Sequence, residues 1–208
     1  MYKIKEIFYT LQGEGFHAGR PAVFCRFAGC NLWTGREEDR ATAVCKFCDT
    51  DFWGMDGKNG GKYTAQSLTE KIISLWPDTN IPVFVVCTGG EPGLQVDDSL
   101  ISSFHESGIE VAIESNGTVS LPSSIDWICI SPKADTKLVI TRGNELKLVY
   151  PQEENVPAQF EHLDFDHFFL QPLDNACQAE HIQAAVAYCM QHPRWKLSLQ
   201  THKIIGIE

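Results

Sequence analysis

Apolar residues fall into short blocks along the chain, and the blocks alternate between two spacings. Residues 22–28 (AVFCRFA) and 83–87 (VFVVC) are short, apolar and rich in β-branched or aromatic side chains, which predicts strands. The second block is continuous, as in a parallel strand covered on both faces. Between them, residues 64–76 repeat at helical spacing. Leu68, Ile72 and Leu75 share one face there, and Thr64 stands as the N-cap. A second helix is predicted over 97–107, stopped by Gly108, and a third over 179–191, ended by Pro193. Residues 110–114, 127–131, 145–150, 167–170 and 196–200 read as further strands. Alternating strands and helices imply parallel strands joined by right-handed crossovers. Residues 56–62 and 151–157 read as surface loops, and the chain has no internal repeat or low-complexity segment.

The polar exceptions to this pattern cluster where strands end. Cys30, Cys45 and Cys48 follow the first strand, and Thr88-Gly89-Gly90-Glu91-Pro92 follow the next. Glu114-Ser115-Asn116-Gly117, Ser131-Pro132-Lys133, Gln171-Pro172-Leu173-Asp174 and Gln200-Thr201-His202-Lys203 come at later strand ends. Ligands of parallel α/β folds gather at the C-terminal ends of the strands. All six segments are therefore expected at one mouth.

Composition narrows the function classes. The 208 residues are 43% hydrophobic and 21% charged, ordinary values for one globular domain over 1–208. A formal charge of −10 argues against gripping a nucleic-acid backbone. No apolar stretch approaches membrane-spanning length, and the N-terminus lacks the apolar core of a signal peptide. Of the eight cysteines, Cys25, Cys87, Cys129, Cys177 and Cys189 lie in apolar or helical patterns and read as small buried hydrophobes. Cys30, Cys45 and Cys48 lie in a polar loop, where a thiol has little packing role. Three thiolates can hold three irons of a four-iron cluster and leave the fourth open. They can also hold zinc if a fourth ligand such as His17 joins them, or hold no metal.

Taken in order, the Leu11-Gln12-Gly13-Glu14-Gly15 run, Arg26, Cys48-Asp49-Thr50, the Thr-Gly-Gly-Glu-Pro run and the later strand ends resemble the radical S-adenosylmethionine (SAM) enzymes. The closest resemblance is to the 7-carboxy-7-deazaguanine synthase (QueE) family, over nearly the whole chain. One spacing departs from the usual radical SAM pattern: fourteen residues, 31–44, separate Cys30 from Cys45, where three are usual. The added residues are polar, and lengthening a loop costs little entropy.

The resemblance implies a 4Fe–4S cluster on Cys30, Cys45 and Cys48, with SAM chelating the open iron. It implies SAM contacts from Phe47, Cys48, Asp49, Gly89, Gly90, Glu114, Ser131, Pro132, Lys133, Gln171, Pro172, Leu173 and Asp174. Magnesium falls to Thr50. The implied substrate is 6-carboxy-5,6,7,8-tetrahydropterin, contracted to 7-carboxy-7-deazaguanine with loss of ammonia, in queuosine or related 7-deazapurine synthesis. Glu14 suits the donor edge of the pterin, beside Leu11, Gln12 and Gly13. Arg26 and His202 suit the substrate carboxylate, and Thr88 faces the substrate. The family places a C-terminal carboxylate near the substrate, which here falls to Glu208, an acidic residue where a small apolar one is more usual. The resemblance further implies a cytoplasmic homodimer reduced by flavodoxin or ferredoxin. The fold expected is an incomplete TIM-like barrel. The chain is short of the ~250 residues of eight full βα units, and a helix is missing between Glu114 and Trp127.

Overall fold

The computed structural model describes residues 1–78, 80–152 and 154–207. It opens with an antiparallel pair, β1 (Tyr2–Leu11) and β2 (Pro21–Phe27), and β3 (Gly61–Tyr63) lies antiparallel on the outer edge of β1. After helix α1 (Ala65–Leu75), the sheet continues from β2 through β4 (Phe84–Gly89). Helix α2 (Asp98–Glu106) leads to β5 (Glu110–Ser115), β6 (Trp127–Ile130), β7 (Arg142–Tyr150) and β8 (Asp164–Pro172). Helix α3 (Gln178–Gln191) precedes β9 (Trp195–Leu197), and α4 (Thr201–Ile205) follows it. From β2 to β9 every neighbouring pair is parallel. Among the described residues the order is β3-β1-β2-β4-β5-β6-β7-β8-β9, with no pairing that closes the ends. The architecture is an open partial barrel, and no helix lies between β5 and β6.

Alternation along each strand divides the sheet into two faces. Val23, Cys25 and Phe27 of β2, Val85 and Cys87 of β4, and Val111 and Ile113 of β5 pack outward. They meet Leu68 and Ile72 of α1 and Leu100, Ile101 and Phe104 of α2. A second outward core joins Leu146, Leu148, Phe168, Leu170 and Trp195 to Ala185 of α3. Each such side chain withdrawn from water stabilises the fold by about 1.5–3 kcal/mol. The intervening residues face the concave side. At the strand starts these are apolar, with Ala22, Phe84, Val86 and Ala112 packed near Trp127. Toward the strand ends they turn polar, which makes the mouth a place for chemistry.

α1 and α2 form where the apolar spacing predicts them. Thr64 caps α1 reciprocally with Ser67, at 3.1 and 2.9 Å. Asp97 caps α2 by accepting from the Leu100 N–H at 3.0 Å. Other expectations need correction. β1 was not expected, because a bulge between Ile4 and Glu6 breaks its alternation: Tyr2 and Ile4 are buried in one phase and Ile7 in the other. β3 begins at the end of the stretch 56–62 that reads as a loop, and it lacks any apolar run. The strand read over 196–200 stops at Leu197, and Gln200 stands at the N-cap position of α4 instead. Cys25, Cys87 and Cys129 are buried as expected, and Cys189 is half-buried. Cys177 is exposed, because it precedes α3 as its N-cap rather than lying within its apolar face.

Candidate active site

A cleft of about 380 Å³ opens at the C-terminal mouth of the parallel strands, and all six polar strand-end segments contribute to its walls. The floor is made by a crossing segment. Between β1 and β2 the chain passes over the concave face, and Gly13 O accepts from Thr201 N at 3.0 Å and Thr201 Oγ1 at 2.8 Å. Gly15 N donates to Ser198 Oγ at 2.9 Å, and that hydroxyl donates to Gln171 Oε1 at 3.0 Å. The glycines follow from this seating. A Cβ on Gly13 would collide with the His202 ring, and one on Gly15 (φ +65°) with the Glu145 carboxylate.

The crossing brings Glu14 onto the inner ends of the strands. Lys147 Nζ of β7 donates to Glu14 Oε2 at 2.6 Å and to Glu114 Oε1 of β5 at 3.2 Å. Glu114 also accepts from Gln12 Nε2 at 3.0 Å and Thr88 Oγ1 at 3.2 Å, and Glu14 Oε1 accepts from Gln200 Nε2 at 3.1 Å. Burial alone raises the Glu14 carboxyl, but the charge and hydrogen bond of Lys147, with Gln200, hold it below the usual carboxylate range. Burial works against the charge on Lys147, yet Glu114 and Glu14 push it well above an ordinary lysine. At the open side, Glu6 holds Arg26 through Nε at 2.8 Å.

The Thr-Gly-Gly-Glu-Pro turn supports the wall beside the cysteines. Gly90 N donates to Phe27 O and Glu91 N to Gly29 O, at 3.2 and 2.9 Å. A Cβ on Gly89 would strike the Phe27 backbone, and one on Gly90 the Gly29 carbonyl. Both glycines are thus already required by the fit of this turn under the cysteine loop. Glu91 is fully buried and accepts from Gly93 N, Ser115 Oγ and Asn116 N at 2.8, 2.8 and 2.7 Å. Burial raises its carboxyl despite these donors.

Cys45 and Cys48 stand at the rim, with Cys30 behind them. Cys45 is buried, Cys30 and Cys48 are half-buried, and all three are free thiols. Burial pushes the Cys30 and Cys48 thiols up, and the proximity of Cys45 adds to both. Among the described residues no three His, Cys, Asp or Glu side chains converge on a single-ion site. His17, the possible fourth zinc ligand, lies away from the cysteines: its ring packs on Trp127 at 4.3 Å and Phe84 at 5.1 Å, at the N-terminal ends of β6 and β4. An all-thiol set without a convergent fourth ligand suits a multi-iron group, in which each sulfur takes its own iron, better than tetrahedral zinc.

The inserted residues 31–44 are ordered by their own contacts. Trp33 is buried and donates to Arg36 O at 3.0 Å, and a 3-10 turn, Glu37–Thr42, carries Arg40 over the Trp33 ring at 4.1 Å. Arg40 Nη1 then reaches back to Lys46 O at 3.0 Å and Cys48 O at 3.1 Å, on either side of Phe47.

Of the residues singled out in the sequence, Leu11, Gln12, Gly13, Glu14, Arg26, Thr88 and His202 all line the cleft. So do Cys45, Phe47, Cys48, Asp49, Thr50, Gly89, Gly90, Glu114, Ser131, Lys133 and residues 171–174. Cys30 and Pro132 do not. Cys30 sits behind Gly90, and the carbonyl of Pro132 turns away to accept from Asn155 Nδ2 at 3.1 Å. Glu208 lies outside the described residues. Sequence reasoning missed Lys147, and gave no role to Gln200 or to Lys203, which bonds Asp49 at 2.6 Å and Asp174 at 2.5 Å. The signal for Lys147 was present: Glu145 and Lys147 alternate with Leu146 and Leu148, which puts two charges on one face of a covered strand.

No family model matches the chain. It is 58% identical to the 7-carboxy-7-deazaguanine synthase of Burkholderia multivorans over 207 residues, covering 99% of each chain. It is 56% identical to the enzyme of that name from Caulobacter vibrioides, with the same coverage. Among solved structures it resembles QueE from Escherichia coli, with a TM-score of 0.71 at 25% identity over 95% of this chain and 93% of that one. With such identity sustained from end to end on a shared fold, the chain belongs to the 7-carboxy-7-deazaguanine synthase family.

Proposed function

We propose that this enzyme, a single radical SAM domain, contracts 6-carboxy-5,6,7,8-tetrahydropterin to 7-carboxy-7-deazaguanine with loss of ammonia. The observation that carries the reading is that one cleft holds both the Cys45 and Cys48 thiols and the largely buried acceptor Glu14. Cys30, Cys45 and Cys48 would hold a 4Fe–4S cluster, and Thr50 a magnesium ion. Bound together there, cluster and SAM would supply the radical chemistry that hydrogen abstraction from the substrate needs.

The remaining work falls to the chain's own side chains. Glu14 offers ionised oxygens to the guanidine-like donor edge of the pterin, in the two-pronged manner of a carboxylate. Gln12 and Thr88 border the ring. Glu6 occupies Arg26 Nε, which leaves the terminal N–H groups of Arg26, with His202, to meet the substrate carboxylate. Lys133, held to Ser131 Oγ at 2.6 Å, has its ammonium 5.9 Å from the centre of the Phe47 ring; this wall suits the adenosine of SAM. Glu114 contacts Gln12, Thr88 and Lys147, and so borders both ligands. A homodimer covering the open edge, flavodoxin or ferredoxin as reductant, and a cytoplasmic setting complete the proposal.

The test is anaerobic turnover of the iron- and sulfide-reconstituted protein with SAM, magnesium, dithionite and carboxytetrahydropterin. We expect 7-carboxy-7-deazaguanine by mass spectrometry, and no SAM cleavage from Cys45→Ala. SAM cleavage without product would reopen the substrate. A fully reconstituted protein giving neither signal would overturn the reading.

A further inference from the structure

Both carboxylates on the floor of the cleft depend on one cation. Lys147 Nζ lies 2.6 Å from Glu14 and 3.2 Å from Glu114, and all three side chains are largely buried. Around Lys147 stand Glu14 from the crossing segment, Glu114 of β5, Cys129 of β6 and Glu145 of its own strand; around Glu14 stand Lys147 and His202 of α4. Two carboxylates this close repel, and without a cation one of them takes up a proton. A proton on Glu14 changes what the floor recognises. An ionised carboxylate only accepts hydrogen bonds, whereas a protonated one presents one donor and one acceptor.

We propose that Lys147 is a specificity-determining residue: by sitting between Glu14 and Glu114 it keeps the floor an acceptor-only surface, selective for a ligand edge with two adjacent donors. The inference rests on the pterin reading and deepens it. A pterin places an amino group beside a ring N–H on that edge. Its dioxo analogue, a lumazine, places a carbonyl beside the N–H instead. The lumazine edge opposes a carboxylate but matches a carboxylic acid. Lys147 and Gln200 each occupy one oxygen of Glu14, and each carboxylate oxygen can accept a second bond. The ligand edge therefore binds without displacing either residue. If Lys147 is removed, the proton falls on Glu14, the more buried of the two carboxylates, because Gln12 and Thr88 still donate to Glu114.

The test compares equilibrium binding of 6-carboxypterin and 6-carboxylumazine, by ligand fluorescence, to the reconstituted protein with SAM but no reductant, so that nothing turns over. We expect the native protein to favour the pterin by about 100-fold or more, as sites built around a specific hydrogen-bond pattern do. Lys147→Met should reduce that preference to less than about tenfold near neutral pH. Raising the pH should restore it as Glu14 ionises, and Lys147→Arg should keep it throughout. If Lys147→Met fails to fold, Lys147→Gln, which keeps a neutral hydrogen-bond donor between the two carboxylates but removes the cation, carries the same expectation. A pterin preference in these variants equal to the native one at every pH overturns the role of Lys147. So does an equal loss of affinity for both ligands that no pH restores, since that marks a structural fault. A native protein that does not favour the pterin sinks the pterin reading itself, and the role of Lys147 with it.

Discussion

On the floor of the cleft, Lys147, Glu14 and Glu114 keep 7%, 15% and 22% of their side-chain surface exposed. On the rim, Lys203, Asp49 and Asp174 keep 38%, 47% and 32%. Each region is a lysine between two carboxylates, at 2.6 and 3.2 Å on the floor and at 2.6 and 2.5 Å on the rim. The difference lies in the solvent. A buried charge that loses its partner is left without water to replace it, whereas an exposed one is rehydrated at little cost. The floor is therefore fixed before any ligand arrives, and the rim can yield to one. That suits a site where a rigid acceptor surface selects the substrate and a looser edge admits it.

The sharpest way to break this comparison is to displace the floor bodily. Gly15→Ala forces a Cβ against Glu145 in a left-handed backbone, and we expect a loss of about 3 kcal/mol in urea unfolding. Glu14→Gln leaves Lys147 with Glu114 alone. We expect about 3 kcal/mol of destabilisation and pterin affinity at least about tenfold weaker, with the iron–sulfur colour of the reconstituted protein unchanged. At the rim, Arg40→Ala removes two hydrogen bonds to the loop around Phe47. About 1–2 kcal/mol follows, read as faster chelator-driven bleaching of the reconstituted protein. Lys203→Ala should cost less than about 1 kcal/mol, and that loss should fade as salt is added. A Lys203 effect as large as that of Glu14 would erase the distinction between floor and rim.

Acid titration separates the carboxylates in the same way. The folded value of Glu14 lies below its unfolded one. Its contribution is complete above the usual carboxylate range and is lost as pH falls through the lower folded value. Burial raises Glu91 and Glu145, so for them stability declines as pH rises from the usual value through the raised one. We expect Glu14→Gln to flatten the acid limb of the stability profile, and Glu91→Gln to flatten the limb just above it.

The sequence made the outward faces of the sheet legible because a single physical demand, burial, wrote them. Leu68 and Ile72 of α1 and the run 83–87 of β4 need no partner's identity to be recognised. The mouth was legible for a related reason: polar residues stop apolar strands abruptly, as at Thr88 and Glu114. β1 was hidden because its bulge changes phase in mid-strand. For Lys147 the local pattern shows only that two charges share the covered face of β7; which carboxylates it balances is not local, since Glu14 and Glu114 lie 133 and 33 residues away. The seat of Gly13 under His202 is likewise fixed across the whole chain. The roles of Arg40 and of the insertion appear only once the turn at Glu37–Thr42 folds back onto the cysteine loop.

The contact of Thr201 with Gly13 spans 188 positions and has a consequence for the order of events during synthesis. The outward cores around α1 and α2 draw only on residues up to Ile128, and can gather while the chain is still being made. The crossing segment emerges first of all, yet its fasteners, Ser198, Gln200 and Thr201, are translated last. Lys147 can meet Glu14 earlier, but until then the seats of Gly13 and Gly15 on either side of it are not fastened. A nascent chain thus acquires its outward core before the seat of its binding surface is complete, and a truncation shortly before residue 198 would leave Gly13, Glu14 and Gly15 without Thr201, Gln200 and Ser198.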